Sequence, residues 1–318
     1  MLIIAVSILL FAALIFFIGP RVQVDTSFTR PELPDDLDDY LLQAEFGCND
    51  IKVGAEKTIV WATAEQRKTR YAFVYFHGFS ACRQESEPVP TDIARHFESN
   101  IFYTRLGGNG RADEALADGS VNKWLSDASE ALTIAERLGE KTIIIGCSTG
   151  ATIAWWISQQ EEFKHRVAAM IFFSPNFGLL DKKSQILLWP WGEKIATAVR
   201  GEYRETIPLN EQQAKYWTHR YRLKALMPLM AMIRLACKYP ASASDVPMFF
   251  LYSNLDTTVD ANLIKDFYQN IRSRKSCMVV DDPEAHSTHV LVGDILAPQN
   301  NAAVTKAVIE FLEELTEV

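Results

Sequence analysis

Residues Gly146-Cys147-Ser148-Thr149-Gly150 carry the first recognisable chemistry in this chain. The serine has a glycine two positions to either side. The apolar run Thr142–Ile145 precedes it and the helix-compatible Ala151–Ala154 follows. That pattern reads as a strand reversing into a helix within a few residues, the nucleophile elbow. Such a turn holds the serine in a strained backbone and lifts its hydroxyl clear, near the positive N-terminus of the next helix. The two glycines leave room where strand and helix backbones approach. A serine hydroxyl is a poor nucleophile at neutral pH, so it needs an imidazole as base and a carboxylate to orient that imidazole.

With this elbow the three groups follow the chain order Ser, acid, His, which directs the search downstream. Asp256 lies in the loop that follows the apolar strand Met248–Tyr252, where ligand-facing residues of parallel sheets gather. Asp260 is the alternative acid, but it immediately precedes a helical stretch and fits an N-cap. Of the six histidines, His77 precedes the serine, His96 and His165 lie in polar helical stretches, and His219 falls in a later insertion. His286 and His289 share the loop before the last helix. His289 runs directly into the apolar Val290-Leu291 that anchors the loop. His286, among Pro283, Glu284 and Ala285, reads as exposed. Attack on a carbonyl also needs two N–H donors for the developing oxyanion. The elbow offers the N–H of Thr149, and the strand ending His77-Gly78 offers that of Phe79. Cys147 is expected to point into the core.

The elements that must position these groups alternate. Strands are expected at Thr58–Trp61, Tyr71–Phe76, Ile101–Arg105, the elbow strand, Val167–Ser174, Met248–Tyr252 and Lys275–Val280. Helices are expected at Val121–Leu138, from the elbow to about Ser158, at Asp260–Ile271 and at Asn301–Leu315. Strand–helix alternation with right-handed crossovers gives an α/β fold, a doubly wound and mostly parallel sheet. Residues 177–245 break the alternation and are too long for a simple connection. They read as an inserted helical lid. It contains Trp189-Pro190-Trp191 and helical stretches around Asn210–Arg222 and Pro228–Lys238.

The chain has 318 residues, 48% apolar and 23% charged, an ordinary globular composition. A net charge of −8 and the lack of a basic run interleaved with aromatics argue against a nucleic-acid partner. The charge is uneven. Asp181–Lys238 holds eleven Lys and Arg against five Asp and Glu, a local +6 that leaves −14 on the remainder. Five cysteines with no Cys-x-x-Cys or Cys/His cluster point away from a disulfide framework or a structural metal, and no metal site is expected. Met1–Ile18 is almost wholly apolar and ends at Gly19-Pro20. Residues 1–20 are therefore read as an N-terminal hydrophobic membrane anchor. Arg21 and Arg30 behind it place the body on the cytoplasmic side. A cleaved signal peptide, with export, and a buried helix are the alternatives. Residues 21–50 form a linker, and 51–318 the catalytic domain with the lid at about 177–245.

With these pieces placed, the chain resembles the α/β-hydrolase superfamily from about Tyr71 to the C-terminus. More narrowly, it resembles the bacterial carboxylesterase and monoacylglycerol-lipase branch with a small helical lid. The residues that carry the likeness are His77-Gly78-Phe79, the Arg105–Gly110 loop, Trp124 with Asp127, the Gly146–Gly150 elbow, Asp256 and His289. The resemblance implies a Ser148–Asp256–His289 triad and oxyanion donors at Phe79 and Thr149. It also implies cleavage of a carboxylic ester or lipid through an acyl-enzyme, with no metal or organic cofactor. One departure stands out: the family's usual Gly-His-Gly is Gly108-Asn109-Gly110 here. Alternatives are a peptidase, thioesterase or acyltransferase on the same triad, or a non-catalytic membrane-tethered binding protein. Oligomeric state is not legible.

Overall fold

The computed structural model describes residues 2–316. Its strands are β1 (Thr58–Val60), β2 (Thr69–Phe76), β3 (Asn100–Tyr103), β4 (Gly139–Cys147), β5 (Val167–Phe173), β6 (Tyr203–Glu205), β7 (Arg220–Arg222), β8 (Met248–Tyr252) and β9 (Lys275–Val279). Seven of them form one sheet in the order β1-β3-β2-β4-β5-β8-β9. All neighbours pair in parallel except β1, which runs antiparallel to β3. The strands β6 and β7 make a separate antiparallel ribbon.

Period-two alternation divides the core between the two sheet faces. Phe73, Tyr75, Ile143, Ile145, Ile171 and Phe249 face α3 (Val89–His96) and the closing helix α10 (Asn301–Thr316). Their neighbours Val74, Phe76, Ile144, Met170, Phe172 and Phe250 face α4 (Val121–Leu138), α5 (Thr149–Ser158) and α9 (Ala261–Asn270). Both faces are covered, which is why these strands read as continuous apolar runs. The boundary of α4 follows from its ends. Ser120 caps it by accepting the Lys123 N–H at 3.2 Å, and Gly139 stops it in an extended conformation. Asp260 caps α9, accepting the Asn262 N–H.

Residues 177–245 leave the sheet after β5 and return at β8. They contain α6 (Gly192–Arg200), the ribbon, α7 (Glu211–Tyr216) and α8 (Leu226–Ala236). Here the expected elements differ. Of Asn210–Arg222, only the six residues of α7 are helical. The chain then turns into β7, where Tyr221 is buried between outward-facing Arg220 and Arg222, a strand alternation. In contrast, α8 is apolar nearly all round because it packs against α5 as part of the main core.

The N-terminal anchor is not supported, and with it goes the cytoplasmic placement of the body. Residues Leu2–Phe17 form α1, a 16-residue helix. At 1.5 Å per residue it spans roughly 24 Å, short of a hydrocarbon core of about 30 Å. No helix among the described residues is long and apolar enough to cross a membrane. Nor is α1 a core helix, since Ile3, Leu10, Phe11, Leu14 and Phe17 are exposed. Its C-terminal end docks on the insertion. The Trp191 indole donates to Ile15 O at 3.1 Å, the Trp191 N–H donates to Pro20 O at 2.8 Å, and Phe16 meets Trp189 edge-on.

The chain from there to α2 (Leu37–Glu45) lies across the body. Phe28 stacks on Phe163, Arg30 pairs with Glu136, and Arg137 donates to the carbonyls of Leu33 and Pro34. Within the stretch read as linker, Asp35-Asp36-Leu37-Asp38-Asp39 opens α2, with Asp36 as its cap.

Candidate active site

Ser148 stands between β4 and α5 with φ 50° and ψ −116°, a left-handed backbone for a non-glycine residue. The elbow is tight. A Cβ on Gly146 would lie 2.6 Å from Ala151 Cα, and one on Gly150 only 2.1 Å from the carbonyl oxygen of Phe76. A side chain at either position would drive the elbow away from α5 or from the end of β2. Cys147 is buried on the α3/α10 face, and burial pushes its thiol well above the usual range.

The loops after β8 and β9 bring a carboxylate and an imidazole to this serine. His289 Nε2 lies 3.0 Å from Ser148 Oγ, and His289 Nδ1 lies 2.7 Å from Asp256 Oδ2. The other carboxylate oxygen of Asp256 accepts the N–H groups of Thr258 and Val259 at 2.7 and 2.9 Å. With Nδ1–H committed to Asp256, Nε2 keeps its lone pair toward the serine hydroxyl. The His289 loop is pinned as well. Ser287 Oγ accepts the N–H of Val290, and Ser174 Oγ donates to His289 O at 2.6 Å. Ser174 ends β5 on a left-handed backbone, φ 44°. Nothing local in the sequence marks it; the parallel pairing of β4 with β5 brings it beside the elbow.

Across the serine lies the loop after β2. His77 is fully buried. Its Nδ1 donates to Gly78 O at 2.8 Å and its Nε2 accepts the Leu106 N–H at 3.0 Å, so it is neutral and ties two strand-end loops together. Burial holds its pKa down at about 4. Asn109, where the resemblance would place a histidine, accepts the Ser80 N–H at 2.8 Å and donates to Leu106 O. The Phe79 and Thr149 N–H groups donate to no partner among the described residues. The Phe79 ring packs edge-on between Trp124 and Tyr221.

Behind this loop a charged cluster holds the neighbouring Arg105–Gly110 turn. Asp127 accepts the Gly107 N–H at 2.7 Å, Trp124 donates to Gly107 O, and Lys57 lies between Asp127 and Glu130. Arg105 pairs with Glu45 of α2.

The remaining candidates fall elsewhere. Asp260 caps α9 and pairs with Lys182, which lowers its pKa. His286 is exposed, His219 contacts Thr206 and Gln213 within the insertion, and His96 pairs with Glu313 of α10. A surface groove between α3 and α10 shares no residue with the serine site and holds no group placed for chemistry. Among the described residues no cluster of His, Cys, Asp and Glu is arranged to hold a metal. The insertion reaches the loops beside this serine. Thr218 donates to Ser80 O at 2.8 Å, Trp217 packs on Ala81 and Val290, and Ser148 is only 6% exposed.

A parallel sheet in this strand order, with a strained serine between its fourth strand and the next helix, is the architecture of an α/β hydrolase. The chain belongs to the hydrolase family described as serine aminopeptidase, S33, whose model matches residues 68–290. No curated protein matches it in sequence. Among solved structures it is similar to one of the metagenome-derived lipolytic enzymes LipS and LipT. The TM-score is 0.67 at 16% identity, over 83% of this chain and 99% of that one. A monoglyceride lipase from Saccharomyces cerevisiae, in a soluble variant bound to a substrate analogue, aligns with TM-score 0.60 at 13% identity, over 82% of this chain and 91% of that one. The monoacylglycerol lipase of Paleococcus ferrophilus gives 0.59 at 13% identity, over 82% and 99%. At these identities the likeness speaks for the fold.

Proposed function

We propose that this hydrolase cleaves carboxylic esters through a Ser148–His289–Asp256 triad. The reading rests on one observation above the rest: a serine in a strained elbow, 3.0 Å from an imidazole whose far nitrogen lies 2.7 Å from a carboxylate. Ser148 Oγ attacks the acyl carbonyl as its proton passes to His289 Nε2. Asp256 stabilises the imidazolium. The N–H groups of Phe79 and Thr149 hold the oxyanion. The imidazolium gives its proton to the leaving alcohol, and His289 then takes a proton from water as it attacks the acyl-enzyme. The acid leaves and Ser148 Oγ recovers its proton.

Residues 51–318 act as the catalytic domain in this reading, and 177–245 as its lid. Leu116, Tyr221, Ala225, Leu226 and the Phe79 ring form an apolar cluster beside the oxyanion loop and offer a wall for the acyl chain. In this reading the substrate is a small acyl ester or lipid monoester, a class supported by the names of the lipase and monoglyceride-lipase structures the fold resembles. The family description favours a second reading, cleavage of aminoacyl amides. A lid segment of net +6 sits poorly over an ammonium-bearing substrate, which places esters first.

A fluorophosphonate probe followed by a chain-length series of esters tests the proposal. Wild type labels and hydrolyses, while Ser148→Ala does neither. Undiminished labelling of Ser148→Ala removes the assignment, and a preference for aminoacyl amides over esters transfers it to the second reading.

A further inference from the structure

Glu85 lies on a short turn (83–85) after the oxyanion loop and is 2% exposed. Its Oε1 accepts the Gly78 N–H at 2.5 Å and lies 2.9 Å from the Tyr75 hydroxyl, which lies 2.7 Å from Ser86 Oγ. Gly78 is clamped between this carboxyl and the serine. A Cβ there would sit 3.0 Å from Glu85 Oε2 and 3.4 Å from Ser148 Cβ. The same turn also supports the base. A Cβ on Gly293, four residues past His289, would lie 2.2 Å from Glu85 O, and the Asp294 N–H donates to Glu87 O.

A buried carboxyl normally keeps a cation, as Asp127 and Glu130 keep Lys57. No ion pair joins Glu85 to a Lys or Arg among the described residues. The groups facing it are Tyr75 from β2, Cys147 from β4 and the His289 loop, with Cys82 on its own turn. Burial pushes its carboxyl up to about 7. Simple packing would be better served by an apolar side chain, so the carboxyl is there for its oxygen. In the loop, His77 Nδ1 is spent on Gly78 O, the Ala81 N–H also reaches Gly78 O, and the Ser80 N–H is spent on Asn109. With the Gly78 N–H spent on Glu85, the Phe79 N–H is left without a partner among the described residues.

We infer that Glu85 is a positioning residue. By accepting the Gly78 N–H, its carboxyl oxygen holds the Gly78–Phe79 peptide so that the Phe79 N–H meets the oxyanion formed on Ser148. This rests on the reading of Ser148 as nucleophile and Phe79 as oxyanion donor.

The test compares Glu85→Leu, which removes the acceptor, with Glu85→Gln, which keeps an acceptor oxygen of the same reach. A p-nitrophenyl ester is the substrate, and rates are scaled to fluorophosphonate-titrated sites. Loss of one oxyanion donor lowers kcat by about 100-fold. Glu85→Leu is therefore expected to lose about 30- to 100-fold in kcat with KM within about threefold, and Glu85→Gln to recover to within about fivefold of wild type. A kcat for Glu85→Leu within about threefold of wild type, or Glu85→Gln as impaired as Glu85→Leu, overturns the inference. If Glu85→Leu does not fold, Glu85→Asp replaces it: the carboxyl stays but its oxygen withdraws from Gly78. Its kcat is expected about tenfold below that of Glu85→Gln, and equality overturns the inference. Ser148→Ala is assayed alongside. If it keeps esterase activity, the underlying triad reading fails, whatever Glu85 does.

Discussion

The two sides of Ser148 are held by different physics. On the side proposed to move protons, Asp256 and His289 sit on loops tied by hydrogen bonds to backbone groups, and the imidazole retains 16% of its side-chain exposure. On the side proposed to hold the oxyanion, His77, Tyr75 and Glu85 are sealed in the core. A group that must accept and return protons needs contact with water and with substrate. A donor that must only point in one direction gains from rigid surroundings that do not reorganise during reaction. The sealed side carries a cost, since burial shifts all three of its titratable groups away from their ordinary pKa values.

The largest effect is expected on the proton-moving side. Asp256→Asn keeps the shape but loses the acceptor that fixes the imidazole tautomer. It is expected to lower kcat by about 10³- to 10⁴-fold with little loss of stability, read by steady-state kinetics and urea unfolding.

The sealed side should respond instead through stability and pH. His77 is depressed to about 4 from 6.5, so as pH falls through that window the unfolded chain takes a proton that the folded one refuses. Stability is thereby lost on acidification, by up to about 3 kcal/mol. The stability deficit of His77→Gln, measured by urea unfolding, should therefore shrink between pH 7.5 and pH 4.5.

Glu85 works in the opposite sense. Raised to about 7 from 4.5, it is protonated more readily in the folded state, and its contribution is present below 4.5 and lost as pH rises through 7. Glu85→Gln should gain on wild type between pH 4.5 and pH 8 by a similar amount, about 3 kcal/mol. A pH-independent difference for both variants would erase the distinction between the two sides.

The smallest effect belongs to Ser174→Ala. It removes one hydrogen bond to the His289 carbonyl, worth about 1 kcal/mol, and kcat is expected to fall by about three- to tenfold at unchanged KM.

The same division explains what the sequence discloses. The elbow, the Ser–Asp–His order and the buried strands are spacing patterns, and spacing is what a sequence displays. Thus α4 and the runs of β2, β4, β5 and β8 are legible, as is the convergence of Asp256 and His289 on Ser148. Ser174, Glu85 and Asn109 are ordinary polar residues whose side chains bond to backbone groups in loops with no periodic pattern to mark them. Parallel pairing of β4 with β5 brings Ser174 to His289, and the folding back of the loop after β2 brings Glu85 to Gly78. The sole cue at Glu85 is a carboxyl in Cys82-Arg83-Gln84-Glu85-Ser86, a stretch without helical or strand period. Inside the insertion, Thr218–Arg222 is too short for periodicity to tell ribbon from helix. At the N-terminus, apolar content alone does not separate a membrane span from a 16-residue helix that docks by its end.

That docking has a mechanical consequence. Gly19 lies face-on against the Trp191 ring, where even a methyl group would come within 2.0 Å of the indole nitrogen. Trp191 holds the joint on a left-handed backbone, φ 61°, with hydrogen bonds to both Ile15 and Pro20. The first leg of the insertion and the N-terminal arm are thus one piece. Moving the arm away breaks both hydrogen bonds at once, so the start of α6 is tied to residues more than a hundred positions upstream.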